Sequence, residues 1–466
     1  MKILYIGGGF VGICSAAVSA DSGHDTLVYD IDEKKISAYA SFSKDKIEKF
    51  IFESGLPEML ARNRDRIKFT TDYKVVVNFL DEADAIFMCL PTPEKPNALG
   101  ETNLDYYNTA AEKLAEHLTH RTNGEQKNYL VIVNKSTVPI NMADETARIL
   151  RARGVKNFGV VSNPEFLVEG KAVEGSVRPD RVVIGADKEK DFAIMRQVYR
   201  RFVDSAGVKY IEVSPREAAA AKLLANYILF SRVVTTYDVV GRVCESFPDV
   251  SFENVRKVLT SEPRIGGWGF YDSVYAGGSC FIKDALSLAH QMETAGARAS
   301  HVRTTLESNE FQRDFFFSRA ESEAQFSWAG KKVAVLGVAF KQDTNDVRHS
   351  PAFDIVKHLE NADVKLIQVY DPAAMRSFRE HYGKTARVAY AENIEEAIAH
   401  TDACLILTDW PQFKTVSDII LAVAKKGYLI MDGRRMLATE YEKLQTAGCD
   451  ILAVGSPFLP GKNKSK

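Results

Sequence analysis

Lys2-Ile-Leu-Tyr-Ile6-Gly7-Gly8-Gly9-Phe10-Val11-Gly12 is the stretch whose reading decides the fold. A short apolar run that stops at glycines predicts a strand, a tight turn and then a helix over Val11 to Ser22. Only four apolar residues, Ile3 to Ile6, precede the glycines, so the segment reads as a strand rather than a signal peptide. Further runs at Asp25–Tyr29, Ala85–Cys89, Tyr129–Val133 and Val160-Val161 alternate with amphipathic stretches. Strands separated by helical segments mean βαβ units and a parallel sheet.

From about Ser214 to Ser322 the pattern turns to helix formers, beginning with Pro215-Arg-Glu-Ala-Ala-Ala-Ala-Lys222-Leu-Leu-Ala-Asn226, which predicts a long helix with helical neighbours. The α/β alternation resumes at Val333–Leu336, Lys365–Tyr370, Cys404–Leu407 and Tyr428–Met431. The expected fold is α/β: two Rossmann-like doubly wound parallel-sheet domains (1–213 and 326–458) joined by a helical central domain (214–325). The polar, basic end, 459–466, is expected to form a disordered tail.

With 60 Lys+Arg against 62 Asp+Glu, the 466-residue chain carries no global field to recruit nucleic acid or an anionic membrane. No apolar run approaches the ~18 residues of a membrane span. The six cysteines show no CxxC and no metal-ligand spacing, so a reduced, cytoplasmic chain without a metal site is expected.

The glycines Gly7, Gly9 and Gly12 fit G-x-G-x-x-G after a strand and at the start of a helix, with Phe10 and Val11 in the same turn. Such a turn lets a pyrophosphate approach the backbone at a helix N-terminus. Asp30 closes the next strand, about 20 positions on, where a carboxylate can accept from a ribose diol and repel a 2′-phosphate. The cofactor is therefore expected to be NAD. Lys35 can reach the same ribose, and Thr92 and Thr137 follow strands whose carboxyl ends meet the cofactor crevice; each also reads as a solvated lysine or a turn-forming hydroxyl.

Cys280 stands in Ala276-Gly277-Gly-Ser-Cys280-Phe-Ile-Lys283-Asp284. If a helix starts at or just after the thiol, its N-terminus favours the thiolate, and Lys283 and Asp284 lie one turn along. The alternative is a small core cysteine beside a salt bridge. Lys222 and Asn226, four apart, share a helix face, where an ammonium and an amide can hold a developing alkoxide. Glu165 follows a strand and projects from the carboxyl end of the sheet, or serves as a helix N-terminal carboxylate.

Taken in order, these motifs, with Ser136-Thr-Val-Pro139, Asn163-Pro-Glu-Phe-Leu167, Arg178–Gly185, Gly337-Val-Ala-Phe-Lys341 and Asp432-Gly-Arg434, resemble the UDP-glucose 6-dehydrogenases of the UDP-glucose/GDP-mannose dehydrogenase family. The resemblance implies a four-electron oxidation of a nucleotide-sugar primary alcohol to a carboxylate with two NAD molecules in turn. By this resemblance Cys280 attacks the aldehyde, Lys222 and Asn226 stabilise the oxyanions, Asp284 acts with water in proton transfer, Glu165 assists thioester hydrolysis, and Thr137 helps place water or the nicotinamide. Glu165, Phe166, Leu167, Lys222, Asn226, Gly277, Phe340, Lys341, Arg434 and Arg264, the last from a neighbouring subunit, are implied to contact the substrate, and a homodimer or higher homo-oligomer is implied. Tyr275-Ala276 departs from the family pattern, which places glycine and then an aromatic directly before the Gly-Gly-Ser-Cys. UDP-glucose is the expected substrate, with GDP-mannose or an N-acetylated UDP-sugar as alternatives. A two-electron hydroxyacid dehydrogenase and an inactive nucleotide-sugar-binding homologue are the rival readings.

Overall fold

The computed structural model describes residues 1–96, 100–122, 129–203 and 205–462. The chain divides into two compact units, one formed by Met1–Ala225 with Ser287–Ala297, the other by Asn226–Leu286 with Arg298–Lys466.

The first unit is built on an eight-stranded sheet: β1 (Lys2–Ile6), β2 (Asp25–Tyr29), β3 (Ile67–Thr70), β4 (Ala85–Met88), β5 (Leu130–Asn134), β6 (Phe158–Ser162), β7 (Arg181–Gly185) and β8 (Lys209–Val213), in the order β3-β2-β1-β4-β5-β6-β7-β8. All pairs are parallel except β6 with β7, which meet antiparallel at Ser162 and Gly185. Period-two alternation sorts the strand residues between two cores. Ile3, Tyr5, Val131 and Val133 enter one apolar cluster, and Leu4, Ile6, Leu130 and Ile132 enter the other. A sheet covered on both faces explains why these strands are continuous apolar runs. The order reverses between β1 and β4, so a crevice opens at their carboxyl ends.

Helix α1 (Phe10–Asp21) follows β1, as the glycine-rich turn predicts, one residue earlier than expected at each end. The long helix α2 (Pro215–Thr235) runs into a π-helical turn, Thr236–Gly241, and a last helical turn, Arg242–Ser246.

The second unit holds a six-stranded parallel sheet of β9 (Lys332–Leu336), β10 (Leu366–Tyr370), β11 (Val388–Tyr390), β12 (Ala403–Ile406), β13 (Leu429–Asp432) and β14 (Asp450–Ala453), in the order β11-β10-β9-β12-β13-β14. Two helices matter for its chemistry: α3 (Phe281–Thr294), which starts in this unit, and α4 (Ser300–Ser322).

Residues 459–462, expected to belong to a disordered tail, are instead tied down. Leu459 and Ile451 exchange backbone hydrogen bonds, and the Lys462 N–H donates to the Gln445 carbonyl. Their polar composition concealed a backbone partner at the edge of β14. Residues 463–466 lie outside the described residues. Among the described residues, no helix is long and apolar enough to cross a membrane.

Candidate active site

In the first unit, parallel strands bring their carboxyl-terminal loops to one edge, and most of the expected cofactor residues collect there. A Cβ at Gly12 would stand 1.9 Å from the Gly7 carbonyl, so only glycine lets α1 pack on the turn. Gly9 caps α1, and a Cβ built there meets nothing within 4 Å, which leaves the backbone open to a ligand. Phe10 and Val11, half-buried, form the first turn. Asp30, just past β2, accepts the Gly8 N–H at 2.7 Å, and the Lys35 ammonium lies 3.1 Å from the same carboxylate. An open backbone at a helix N-terminus beside a carboxylate at the second strand fits NAD. The Thr92 hydroxyl donates to the Thr137 carbonyl at 2.8 Å, joining the loops after β4 and β5.

The same edge holds a buried charge cluster. Lys222, on α2, pairs with Glu165 at 3.0 Å, with their side chains 5% and 9% exposed. The second Glu165 oxygen accepts the Leu167 N–H at 2.6 Å. Burial pushes the Glu165 carboxyl up, but the Lys222 charge, the Leu167 N–H and the Lys135 charge outweigh it and hold Glu165 below the usual carboxylate range. The Lys222 ammonium also lies 5.3 Å from the centre of the Phe166 ring, which Arg181 covers at 4.0 Å. Leu167 packs into the neighbouring apolar core.

Two members of this cluster were not among the expected site residues. Lys135, at the end of β5, is buried and donates to Asn163 Oδ1 at 3.0 Å. Asn163 in turn donates to the Val183 carbonyl at 2.9 Å. Burial brings the Lys135 ammonium down to about 8 against the opposing pull of Glu165. The available signal was a lysine two positions past the apolar run Leu130–Val133, too close to a buried strand to reach water easily: a buried charge needs a partner such as a carboxylate. Between Ser136, Thr137, Ser162 and Lys222 lies a cavity of about 10 Å³, about the size of one water molecule. The buried Ser162 hydroxyl beside it has no protein partner.

The second unit holds the thiol. Helix α3 begins at Phe281, directly after Cys280, and its first bond runs from the Asp284 N–H to the Cys280 carbonyl at 2.9 Å. Cys280 is exposed, whereas the other five cysteines are buried, and none of the six is in a disulfide. Asp284 is fully buried. One of its oxygens accepts from Asn226 Nδ2 at 2.6 Å, the other from the Lys283 ammonium at 2.6 Å. Lys283 thus neutralises a buried carboxylate. Lys222 and Asn226 stand four residues apart on α2, so one helix face carries an ammonium and an amide.

The turn before the thiol packs on the expected nucleotide residues. Gly278 has φ of +91°, and a Cβ there would lie 2.8 Å from the Phe340 ring. Lys341 lies 5.8 Å from the centre of that ring. Arg434 donates to the carbonyls of Phe340 at 2.8 Å, Leu407 at 2.9 Å and Asp272 at 3.3 Å, so its guanidinium orders the loop around Phe340. Arg264 joins none of these groups: its side chain is 88% exposed and paired with Glu262 at 2.9 Å. Tyr275, where the chain leaves the family pattern, donates to Glu310 at 2.6 Å, with Arg313 over its ring at 5.2 Å. Among the described residues no cluster of His, Cys, Asp and Glu could hold a metal ion.

Residues 1–203, 216–311 and 334–439 match, respectively, the NAD binding, central and UDP binding domains of the UDP-glucose/GDP-mannose dehydrogenase family. The chain belongs to this family. It is 33% identical over 469 residues to UDP-glucose 6-dehydrogenase TuaD of Bacillus subtilis, covering 100% of this chain and 95% of that protein. It is likewise 33% identical to the UDP-glucose 6-dehydrogenase of Rhizobium meliloti, covering 98% of this chain and 100% of that one. Among solved structures, a UDP-glucose dehydrogenase from Pyrobaculum islandicum aligns with a TM-score of 0.84 at 28% identity, over 98% of both chains. The UDP-D-ManNAc dehydrogenase from Pyrococcus horikoshii shares the fold, with a TM-score of 0.77 at 24% identity, over 94% of this chain and 96% of that one. As a member of the family, the chain is an NAD-dependent oxidoreductase acting on a nucleotide sugar.

Proposed function

We propose that this dehydrogenase oxidises UDP-glucose to UDP-glucuronate in two steps on one carbon, through a covalent intermediate on Cys280. The observation that carries the reading is the exposed thiol at the start of α3, followed one turn on by a fully buried carboxylate held by Asn226 and Lys283. An alcohol oxidation that stopped at the aldehyde would need no nucleophilic thiol.

NAD, when bound, supplies the hydride acceptor for each oxidation. In the first step the alcohol loses a hydride and a proton, and the aldehyde forms. The Cys280 thiolate then adds to the aldehyde carbon and gives a thiohemiacetal. Loss of a second hydride and a proton leaves a thioester, which water cleaves to the carboxylate and the free thiol. In total, one alcohol, two NAD and one water give one carboxylate, two NADH and three protons. Lys222 and Asn226 stabilise the oxyanions of these intermediates, and a preorganised ammonium and amide suit that charge. Asp284 moves protons through water, and Glu165, held ionised by its cationic neighbours, acts as the base for hydrolysis, with Thr137 positioning the water. Phe166, Leu167, Gly277, Phe340, Lys341, Arg434 and Arg264 serve the substrate, and Gly7, Gly9, Phe10, Val11, Gly12, Asp30, Lys35 and Thr92 the cofactor.

UDP-glucose is favoured over GDP-mannose and N-acetylated sugars by two relatives of that printed activity at 33% identity. Six cysteines without a disulfide among them accord with a cytoplasmic location. Exposed Ile228, Val239 and Val243, on α2 and the helical turns after it, and Phe247, which caps the last turn, support a homo-oligomer in which a second copy covers them. The test is to incubate the purified protein with NAD and a panel of nucleotide sugars and to count NADH per sugar consumed. Two NADH with UDP-glucose, at the highest kcat/KM of the panel, are expected. One NADH per sugar contradicts the four-electron reaction, and a better rival sugar contradicts the substrate.

A further inference from the structure

The loop that leads to Cys280 is held from behind by a side chain to which the chemistry assigns no role. Asn309, on α4, is 1% exposed. Its Oδ1 accepts the Ala276 N–H at 2.8 Å, and its Nδ2 donates to the Ala276 carbonyl at 3.3 Å. One amide therefore satisfies both backbone groups of a single residue, and that pairing fixes which end of the amide is oxygen. The same Oδ1 accepts the hydroxyl of Tyr237, itself buried in the π-helical turn after α2. Single-turn π insertions recur at functional sites. Here the insertion carries the tyrosine that orients the amide. Beyond Ala276 the chain passes through Gly277 and Gly278, residues with little conformational restraint of their own, and reaches the thiol two residues later. An anchor at Ala276 is thus where the loop's freedom ends on its N-terminal side; on the other side, the Gly278 N–H donates to the Arg348 carbonyl at 3.2 Å.

We propose that Asn309, oriented by Tyr237, is a positioning residue for the Cys280 thiol: it clamps Ala276 and so fixes where the loop delivers the sulfur to the first turn of α3. The inference rests on the reading of Cys280 as nucleophile. Neither Asn309 nor Tyr237 is among the residues assigned to cofactor or substrate, so loss of the clamp acts on kcat far more than on the KM for NAD.

The test compares Asn309→Leu, which keeps the shape and removes every hydrogen bond, with Asn309→Asp, which keeps the acceptor for Ala276 and Tyr237, and with Tyr237→Phe. Asn309→Leu is expected to lower kcat about tenfold or more, since small misplacements of reacting groups cost rates of that order. Asn309→Asp is expected to recover part of the loss, and Tyr237→Phe to fall between wild type and Asn309→Leu. The readout that a merely structural role would not move is the pH midpoint for alkylation of Cys280 by iodoacetamide, followed by mass spectrometry. That midpoint rises in Asn309→Leu and Tyr237→Phe as the sulfur leaves the helix N-terminus. If Asn309→Leu does not fold, Tyr237→Phe, which loses one hydroxyl, decides the matter. Folded variants with an unchanged midpoint and unchanged kcat overturn the clamp. Cys280→Ser separates the two layers: continued acid formation in that variant removes the nucleophile itself, whereas blocked acid formation with unmoved Asn309 and Tyr237 variants removes only the clamp.

Discussion

The two sheets place an aspartate at the same topological point, tie it to the glycine turn in the same way, and differ in what else reaches it. Asp30, past β2, takes the Gly8 N–H and a lysine ammonium, and the helix of its unit starts at once after the glycine turn. Asp371, past β10, is 2% exposed and accepts from the N–H groups of Val338, Ala339, Ala373 and Ala374 and from the Trp410 indole. The helix that follows β9 does not begin until Pro351, and the loop between carries Phe340 and Lys341. At one corner a helix N-terminus starts beside a carboxylate that is 11% exposed and takes a lysine ammonium. The other has turned its carboxylate inward as structural support and presents an aromatic and a cation. Six strands in the same order thus underlie two units that match different domains of the family, NAD binding and UDP binding, and it is the corners, not the sheets, that differ.

The largest effect that can break this comparison is at the inward carboxylate. Asp371→Ala leaves five donors unpaired in the interior and is expected to cost about 4 kcal/mol of stability, read by urea unfolding, with the KM for NAD of the folded fraction unchanged. If the KM for NAD rises instead, the second corner is not purely supportive. Next comes the corner that holds Asp30. Gly12→Ala forces a Cβ against the Gly7 carbonyl and is expected to raise the KM for NAD about a hundredfold, while UDP binding by calorimetry stays put.

A third expectation concerns the charge cluster. Lys135, held at about 8 in the folded chain, binds fewer protons folded than unfolded between roughly pH 8 and 10.4. Stability contributed by this group therefore rises with pH across that window, on the order of 2 kcal/mol in all. Unfolding free energies at pH 7.5 and 10 read this rise, and Lys135→Met should flatten it. An identical slope in the variant would place the titration elsewhere. The smallest effect is at Asp30: Asp30→Ala is expected to reduce the preference for NAD over NADP in kcat/KM about tenfold, because the carboxylate that repels a 2′-phosphate is gone.

These contrasts show which features local sequence can carry. The glycine turn, Asp30 and the helix start after Cys280 were legible because each depends on residues adjacent in the chain. Strands β3 and β8 were not, since only Ile67 is buried in the first and no residue is fully buried in the second, so both lack the continuous apolar run of the central strands. Lys135 and Asn309 escaped for a different reason. Lys135 acts on Asn163 and Glu165, and Asn309 on Ala276, contacts that no local spacing encodes. The buried ties of Asp371 are equally long-range, and a Gly337 corner without the full glycine pattern gave no sign that its aspartate faced inward.

The account rests on one sulfur atom. Cys280→Ser should be supplied with NAD and UDP-glucose, and its products separated and weighed by mass spectrometry. The account expects NAD and UDP-glucose to bind and no UDP-glucuronate to accumulate, because no thioester can form. Near-normal conversion to UDP-glucuronate by the serine variant would contradict it.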